Sequence, residues 1–284
     1  MRVTRWIVPL VLSTFLGLGC QPQEIVEGGK PNPKPIKTLI SLSPSTTEVA
    51  TMAALYSQLK GRTAACNYPT TIAQTPVVVG VKPDYDKIAA IKPDLAIYDP
   101  NLFGAADIKK LEDLKIETYP ITANTVQEFI DTLYRFGART NSETSLSTYV
   151  DRILDIMRRT QSEPVSKEVT CVILLPGRGG EHMVAGTESF QADVMKIAHA
   201  KVLGPGGTKF VPLNAEQLVG WNPDLVITAG DPTSLLQDPR FQSLEAFKNK
   251  RIRAINQDVV VRAGSRVDKF IEAAAQIVAT QASQ

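Results

Sequence analysis

The sequence predicts an α/β fold in which two lobes with parallel sheets are joined by one long α-helix. Three observations lead to this prediction. Short β-rich runs alternate with helical ones from residue 37, the alternation restarts in the second half, and a long amphipathic helical stretch separates the halves. Strands that alternate with helices favour a mostly parallel sheet covered on both faces. With 284 residues, the chain has the length of one large domain or of two ordinary ones.

The first twenty residues, MRVTRWIVPLVLSTFLGLGC, have the layout of an export signal. A basic start is followed by an apolar run from Trp6 to about Leu18, which is too short to cross a bilayer comfortably. The ending Gly19-Cys20 resembles a bacterial lipoprotein signal, which implies removal of residues 1–19 and lipid attachment at Cys20. Gly17 departs from that pattern, because leucine is usual there. An ordinary exported chain that is cleaved nearby is the alternative.

Residues 20–36 are rich in proline, glycine and polar residues, and we expect them to form a flexible tether. Such a spacer would hold an exported, lipid-anchored protein off the membrane in the periplasm or at the cell surface. Removing the leader takes two arginines from the 31 Lys and Arg residues, which leaves 29 against 29 Asp and Glu. A neutral chain with 6% aromatic residues argues against a nucleic-acid partner.

Residues 37–140 form the predicted first lobe. Its strand candidates are TLISLS, RTAAC, PVVVG, DLAIYD and ETYPI. The first helix is expected within SPSTTEVATMAALYSQL, where Ser45 and Glu48 have the spacing of a capping box. In such a box each of the two side chains satisfies a free backbone N–H at the start of the helix.

Residues 141–164 form the predicted linking helix. One helical face carries the apolar side chains, namely Leu146, Tyr149, Val150, Ile153, Ile156 and Met157. Asn141 or Ser142 can cap its start and Pro164 can end it. About 20 residues of helix would span roughly 30 Å.

Residues 165–284 form the predicted second lobe. Its strands are expected in VTCVILLPG, KFVPL, DLVITAG and RIRAIN, and its helices include SFQADVMKIAH and RVDKFIEAAAQIVATQ. Cys171 lies in a buried-strand pattern, so we expect Cys171 and Cys66 to be free structural thiols. A disulfide between the two cysteines is the alternative.

One helix-then-strand segment occurs twice, as DYDKIAAIKPDLAI (84–97) and NAEQLVGWNPDLVI (214–227). Asp84 and Asn214 are predicted N-caps, and Asp86 and Glu216 fall in the first turn, where the helix dipole favours an acid. A buried stripe follows in each copy, made of Ile88, Ala89 and Ile91 or of Leu218, Val219 and Trp221. A proline then ends each helix. Local chemistry by itself accounts for every residue type in both copies.

Four segments, taken in order, resemble the periplasmic binding proteins of ABC importers for cobalamin, ferric siderophores and haem. These segments are ISLSPSTTEVATMAAL, CNYP, VGVKPDYDKIAAIKPDLAI and EQLVGWNPDLVI, and the likeness covers about residues 37–280. The resemblance implies the class III fold, with two Rossmann-like lobes on a rigid linking helix and a ligand cleft between them. It also implies a solute-binding lipoprotein that has no enzymatic activity.

The resemblance implies specific partners as well. In this family an acidic residue on each lobe docks into basic pockets of the two permease subunits, and by position those acids are Asp86 and Glu216. Aspartate is shorter than the more usual glutamate by one methylene. We therefore expect a monomer that meets an ABC permease dimer with its ATPase and a small metal chelate, and that touches the membrane through its lipid only.

Candidate ligand contacts come from two sources. Open α/β sheets bind ligands just past the carboxyl ends of their strands. Side chains in such places are Tyr98, Phe103, Arg178 and His182. The resemblance adds Phe210, aligned with an aromatic cleft position, and Asp258, aligned with a polar contact.

The sequence only partly indicates which class of ligand the protein binds. Cobalamin receptors carry aromatic residues at positions that align with Ala65, Gly80 and Asp99, and none of these is aromatic here. No tyrosine or histidine stands out as an axial haem ligand. We expect no resident cofactor and a ferric siderophore or a corrinoid as ligand, with haem as the alternative.

Three rival classes fit less well. A receptor for a bare metal ion would need a cluster of histidines and carboxylates, but the only histidines are His182 and His199. An exported α/β enzyme remains an alternative, although PGRGG lacks a phosphate-loop pattern and no G-x-S-x-G occurs. A signalling or adhesion lipoprotein would not need the two acidic helix tips.

Overall fold

The computed structural model describes residues 34–163 and 165–283. From Pro35 onward the chain forms one compact unit. The predicted signal peptide, Cys20 and the predicted tether up to residue 33 lie outside the described residues, and so does Pro164. Among the helices of the described part, none has both the length and the apolar content needed to cross a membrane.

The first lobe is a five-stranded parallel sheet with helices on both faces. In chain order its elements are β1 (Leu39–Ser41), α1 (Pro44–Met52), β2 (Leu59–Thr63), β3 (Val77–Val79), α2 (Tyr85–Ile91), β4 (Leu95–Tyr98), α3 (Ala105–Asp113), β5 (Glu117–Pro120) and α4 (Val126–Thr140). The strand order is β3-β2-β1-β4-β5, and every pairing is parallel. Four of the five predicted strands of this lobe are confirmed, whereas the one predicted in RTAAC (62–66) is displaced, because β2 begins at Leu59 and ends at Thr63.

One long helix, α5 (Glu143–Ser162), leads out of the first lobe. The predicted apolar stripe is largely confirmed, since Leu146, Tyr149, Val150, Ile153 and Ile156 are buried in it. Ser142 is the N-cap residue, but its side chain makes no capping hydrogen bond. Burial of the apolar face, rather than a capping hydrogen bond, therefore stabilises this helix.

The second lobe contains a mixed sheet. Its elements are β6 (Val169–Leu175), β7 (Met183–Ala185), α6 (Phe190–Ile197), β8 (Ala200–Val202), β9 (Phe210–Pro212), α7 (Ala215–Trp221), β10 (Leu225–Ala229), α8 (Thr233–Leu236), α9 (Glu245–Lys248), β11 (Ile252–Ile255), α10 (Gln257–Val261) and α11 (Val267–Ala282). The strand order is β11-β10-β6-β7-β9, with β8 also paired to β6.

The two-lobed α/β fold class is confirmed, but the second sheet departs from a purely parallel one. Strand β7 runs antiparallel to both β6 and β9, whereas β8, β10 and β11 keep the parallel arrangement. The sequence did not predict β7 or β8, because each has only three residues and neither shows an alternating pattern.

A single hydrophobic core runs through both lobes and the linking helix. It contains Leu39 and Phe129 from the first lobe, Ile153 from α5, and Ile173 and Phe270 from the second lobe. Two smaller clusters cover the outer faces of the two sheets. Because this main cluster is continuous, the two lobes share buried surface and pack as one unit.

Helix α1 begins differently from the prediction. Its capping box joins Ser43 and Thr46, since the Ser43 hydroxyl accepts from the Thr46 N–H and the Ser43 N–H donates to the Thr46 hydroxyl, both at 3.2 Å. The predicted box of Ser45 and Glu48 is wrong, because Ser43 is the N-cap and Glu48 lies two residues past the third helical position, Thr46. Its carboxylate is free to leave the helix.

The repeated segment folds alike in both lobes. Asp84 accepts from the Lys87 N–H and Asn214 accepts from the Gln217 N–H, each at 3.1 Å, so both N-cap predictions are confirmed. Val219 contradicts the predicted stripe, since 43% of its surface is exposed.

The aspartates of the two PDL sequences also have matching roles. Asp94 accepts from the N–H and hydroxyl of Thr38, and Asp224 accepts from the N–H and hydroxyl of Thr170. Thr38 precedes β1 and Thr170 lies near the start of β6. Each aspartate therefore ties the start of its own strand to the first strand of its lobe.

The thiols of Cys66 and Cys171 are free and buried, as predicted. Burial raises the pKa of Cys171 to about 12, with a smaller contribution from the nearby charge of Asp224. Cys171 is therefore a protonated core residue and not a nucleophile.

Candidate functional site

A cavity of about 400 Å³ lies between the two lobes. Both lobes contribute to its walls. The lining residues are Pro44, Ser45, Asp99, Asn101, Leu102, Ala123, Asn124, Phe190, Gln191, Thr208, Lys209, Phe210, Val261, Arg262 and Ala263.

The first-lobe wall is formed where the strand order of the sheet reverses. Strands β1 and β4 are neighbours, and the chain leaves β1 towards β2 and β3 but leaves β4 towards β5. Pro44 and Ser45 follow β1, while Asp99, Asn101 and Leu102 follow β4. The carboxyl ends of strands at such a switch point form a natural ligand crevice.

The second-lobe wall is assembled from three segments. Phe190 and Gln191 open α6, Thr208 to Phe210 lead into β9, and Val261 to Ala263 follow α10. The side-chain amide of Gln191 donates to the Val260 carbonyl at 2.9 Å and joins the first segment to the third. The Phe190 ring packs edge-on against Phe129 of α4, with ring centres 6.4 Å apart. Phe190 thus joins the cavity wall to the main hydrophobic core.

Three charged side chains line the cavity, namely Asp99, Lys209 and Arg262. Burial raises the pKa of Asp99 above its ordinary value. The Asn101 N–H, which donates to its carboxylate at 2.8 Å, and the Lys209 ammonium oppose that rise only in part. Apolar and polar groups alternate around these charges, as in small-molecule sites generally. Leu102 is 63% exposed and lies at the rim.

Glu48 crosses from the first lobe to the second and has no exposed surface. Its carboxylate accepts from the N–H and the hydroxyl of Ser265, each at 3.1 Å, and from the Arg266 guanidinium at 2.6 and 3.3 Å. Gly264 packs directly against this side chain, since a Cβ there would lie 2.7 Å from a Glu48 oxygen. We call Glu48, Arg262, Ser265 and Arg266 the interlobe clasp.

Arg262 connects the interlobe clasp to the cavity. Its guanidinium lies 2.8 Å from the Asp258 carboxylate and 3.8 Å from that of Glu48, and it donates to the side chain of Asn67 at 2.6 Å. The Asn67 amide donates in turn to Asp258 at 2.8 Å. The charge of Arg262 is therefore balanced by groups of both lobes.

The structure brings two of the six predicted ligand contacts to this region. Phe210 lines the cavity, and Asp258 lies beside it as the ion-pair partner of Arg262. Tyr98 and Phe103 flank the cavity-lining segment that follows β4, but both pack partly buried against the outer cluster of the first lobe. In that segment Asp99, Asn101 and Leu102 line the cavity instead.

Arg178 and His182 lie away from the cavity, because β6 and β7 form a hairpin that turns this segment towards Asp238. The His182 ring accepts from the Gly177 N–H at 3.1 Å and its other nitrogen lies 3.4 Å from Asp238. Burial lowers the pKa of His182, which keeps it neutral. Hydrogen bonds from Arg240 hold the pKa of Asp238 at about 2. These contacts fix the hairpin turn, and Arg178 is exposed on it.

Asp86 and Glu216 lie in the first turns of α2 and α7 and are exposed. Neither carboxylate forms a hydrogen bond or an ion pair with another described residue. The two helices match in length, in N-cap contact and in their left-handed C-cap residues, Lys92 and Asn222. Each lobe thus presents one unpaired acid on an equivalent helix tip.

Sequence reasoning missed most of the residues that form the site. Asp99 and Asn101 had a usable signal, since they follow a strand directly. Glu48, Lys209 and Arg262 had none, because their positions depend on contacts between the lobes. Within the described residues, no group of three histidine, cysteine or acidic side chains is arranged to hold a metal ion.

Comparison with known proteins gives consistent matches. Residues 39–259 match the periplasmic binding protein family. An ABC transporter substrate-binding lipoprotein of Bacillus subtilis, YvrC, is 24% identical over 254 residues, which are 85% of this chain and 80% of the relative.

Two solved structures from Vibrio cholerae share the fold. The periplasmic vitamin B12 binding protein BtuF has a TM-score of 0.78 at 18% identity, over 88% of this chain and 99% of its own. The periplasmic haem-binding protein HutB has a TM-score of 0.72 at 18% identity, over 85% and 99%.

Replacing Glu48 by alanine tests the interlobe clasp. The change removes the fully buried carboxylate and leaves the partly buried Arg266 guanidinium without its partner, and breaking a buried ion pair costs about 3–5 kcal/mol. We expect the free energy of unfolding, measured by urea denaturation, to fall by that order. The exposed Glu112 of α3 is the matched control, and its replacement by alanine should change the value by less than about 0.5 kcal/mol. Equal effects of the two variants would contradict the role of the clasp.

Proposed function

Because the chain belongs to the periplasmic binding protein family, we propose that it is the substrate-binding component of an ABC importer. The observation that supports this most is the cavity between the lobes, whose first wall lies at the switch point of its sheet. A ligand held there would contact both lobes at once. Its binding energy would therefore depend on how the lobes are arranged, which is the property a receptor needs to signal occupancy.

We propose a metal chelate, either a ferric siderophore or a corrinoid, as the ligand. The cavity offers hydroxyl, amide and charged groups together with Phe190 and Phe210. A haem ligand is the second candidate, favoured by the likeness in fold to HutB. Against haem, none of the described residues that line the cavity is a histidine, tyrosine, cysteine or methionine, the side chains that bind haem iron axially.

We propose further that the protein is exported and anchored through lipid at Cys20. The leader pattern and the description of YvrC as a lipoprotein support this proposal. Replacing Cys20 by alanine should release the protein from the membrane fraction of cells that express the full chain. Retention of the variant at the wild-type level would refute lipid anchoring.

Ligand titration tests the proposed function directly. The probes are ferric trihydroxamates, cyanocobalamin and haemin, detected by native mass spectrometry and by the fluorescence of Trp221, the one tryptophan beyond the leader. We expect one of them to saturate the protein at one-to-one stoichiometry with a Kd below about 1 μM and to be recovered unchanged. Chemical turnover of the bound probe would instead favour the alternative of an exported enzyme.

Asp86 and Glu216 are the residues that we propose to dock onto the two permease subunits. They are exposed, unpaired and placed on equivalent helix tips of the two lobes. Charges of this kind guide encounter and orientation more than they add affinity. Asp86 has the shorter side chain, so we expect its contact to be the weaker of the two.

The double variant Asp86→Lys and Glu216→Lys should abolish stimulation of the permease ATPase in proteoliposomes and leave ligand affinity unchanged. Lysine would place a like charge against the proposed basic pockets of the permease. The control, Glu112→Lys with Asp151→Lys, makes the same change in net charge at exposed sites elsewhere. Normal stimulation by the Asp86 and Glu216 variant, or its loss in the control, would rule out docking by these two acids.

A further inference from the structure

Two charged side chains line the cavity from opposite lobes, and neither forms an ion pair with another residue of the described part of the chain. Asp99 follows β4 in the first lobe, and Lys209 precedes β9 in the second. Asp99 accepts from the Asn101 N–H at 2.8 Å, and the Lys209 ammonium makes no hydrogen bond with any described residue. The two groups influence each other electrostatically, yet no ion pair within 4 Å joins them.

Arg262, the third charged residue of the cavity, does have partners of opposite charge within the protein. Arg262 is held by Asp258 at 2.8 Å and by the Asn67 side chain at 2.6 Å, with Glu48 behind it at 3.8 Å. Its charge is already balanced within the protein. The charge pattern offered to a ligand is therefore one negative group on the first-lobe wall and one positive group on the second-lobe wall.

A ligand that fills the cavity removes water from both groups. A charge that loses water without gaining an opposite charge costs free energy. A purely anionic ligand would be attracted by Lys209 but repelled by Asp99. A purely cationic ligand would be attracted by Asp99 but repelled by Lys209. A ligand with both signs of charge avoids each penalty.

We propose that Asp99 and Lys209 select a zwitterionic metal chelate, one that carries a protonated amine as well as a carboxylate. The amine contacts Asp99 and the carboxylate contacts Lys209. This inference rests on the proposed function, and it narrows the ligand from metal chelates in general to aminocarboxylate-bearing ones. Ser45 and Asn101 on one wall, and Gln191 and Thr208 on the other, supply neutral hydrogen-bonding groups beside the two charges.

The test uses four ferric trihydroxamates that share one core and differ in a single pendant group. The pendant is an ammonium, a carboxylate, an α-amino acid with both charges, or a neutral amide. Affinities are measured by isothermal titration calorimetry with the wild type and with the variants Asp99→Asn and Lys209→Gln. Asp151→Asn and Lys60→Gln, which change exposed residues outside the cavity, serve as controls.

We expect the amino-acid derivative to bind the wild type about tenfold more tightly than the neutral one, because matched charges in a partly desolvated site contribute on this scale. Asp99→Asn should remove the gain in affinity that comes from the pendant ammonium and keep the gain that comes from the carboxylate. Lys209→Gln should remove the gain from the carboxylate and keep the gain from the ammonium. The preference for the ammonium should also weaken as the pH falls through the raised pKa of Asp99, whereas Asp99→Asn should lack this pH dependence.

Equal binding of all four chelates, or equal effects of a variant on all of them, would overturn the zwitterion inference while leaving the proposed function intact. The same holds if the wild type binds none of the four but binds cyanocobalamin or haemin, since neither carries an ammonium. If Asp99 and Lys209 interacted only with each other and not with the ligand, replacing either residue would change the affinity for all four chelates equally.

Discussion

The arrangement of the two lobes depends on one buried carboxylate. Glu48 belongs to α1 of the first lobe, yet among the described residues its charged partners, Arg262 and Arg266, belong to the second. A carboxylate without exposed surface is costly unless hydrogen bonds and opposite charge replace the lost water. Ser265 and Arg266 supply both, and Gly264 lets the backbone approach closely enough for the contact to form. The spacing of the cavity walls follows from this contact.

The clasp is reinforced by the linking helix. Tyr149 of α5 is buried, and its hydroxyl lies 3.3 Å from both the Gly264 carbonyl and the Asp268 carboxylate. On the other side of the cavity, Asp193 of α6 accepts from the Val126 N–H at the start of α4 at 2.8 Å. The lobes are thus joined on two sides of the cavity and through one continuous core. Large hinge motions would have to break buried polar contacts, so small rearrangements are the more economical response to a ligand.

Arg262 belongs both to the cavity lining and to the interlobe clasp. Its guanidinium lines the ligand site and also contacts groups of both lobes. A ligand that shifts this side chain would change the contacts that position the lobes, and hence the spacing of Asp86 and Glu216. This is a physical route by which occupancy of the cleft could alter the surface that we propose to face a permease. It requires no movement within either sheet.

The sequence by itself determined the α/β class, the linking helix, the free cysteines and the two acidic helix tips. These features depend on local patterns: strand and helix periodicity, N-cap residues, and an acid in a first turn. It also pointed to the ends of strands as the place of the site, although Tyr98 and Phe103, which it named near the end of β4, pack partly buried against the outer cluster of the first lobe.

Only the tertiary structure decided which side chains meet in the cavity. Glu48, with the spacing of a helix cap, became an interlobe contact. His182, placed past a strand end, became part of a hairpin turn, because β7 returns antiparallel to β6. Arg262 contacts Asn67 and Glu48 from the other half of the chain, and Lys209 lines the cavity opposite Asp99, which is far away in sequence. Local sequence cannot encode such meetings, since they arise from the packing of one lobe against the other.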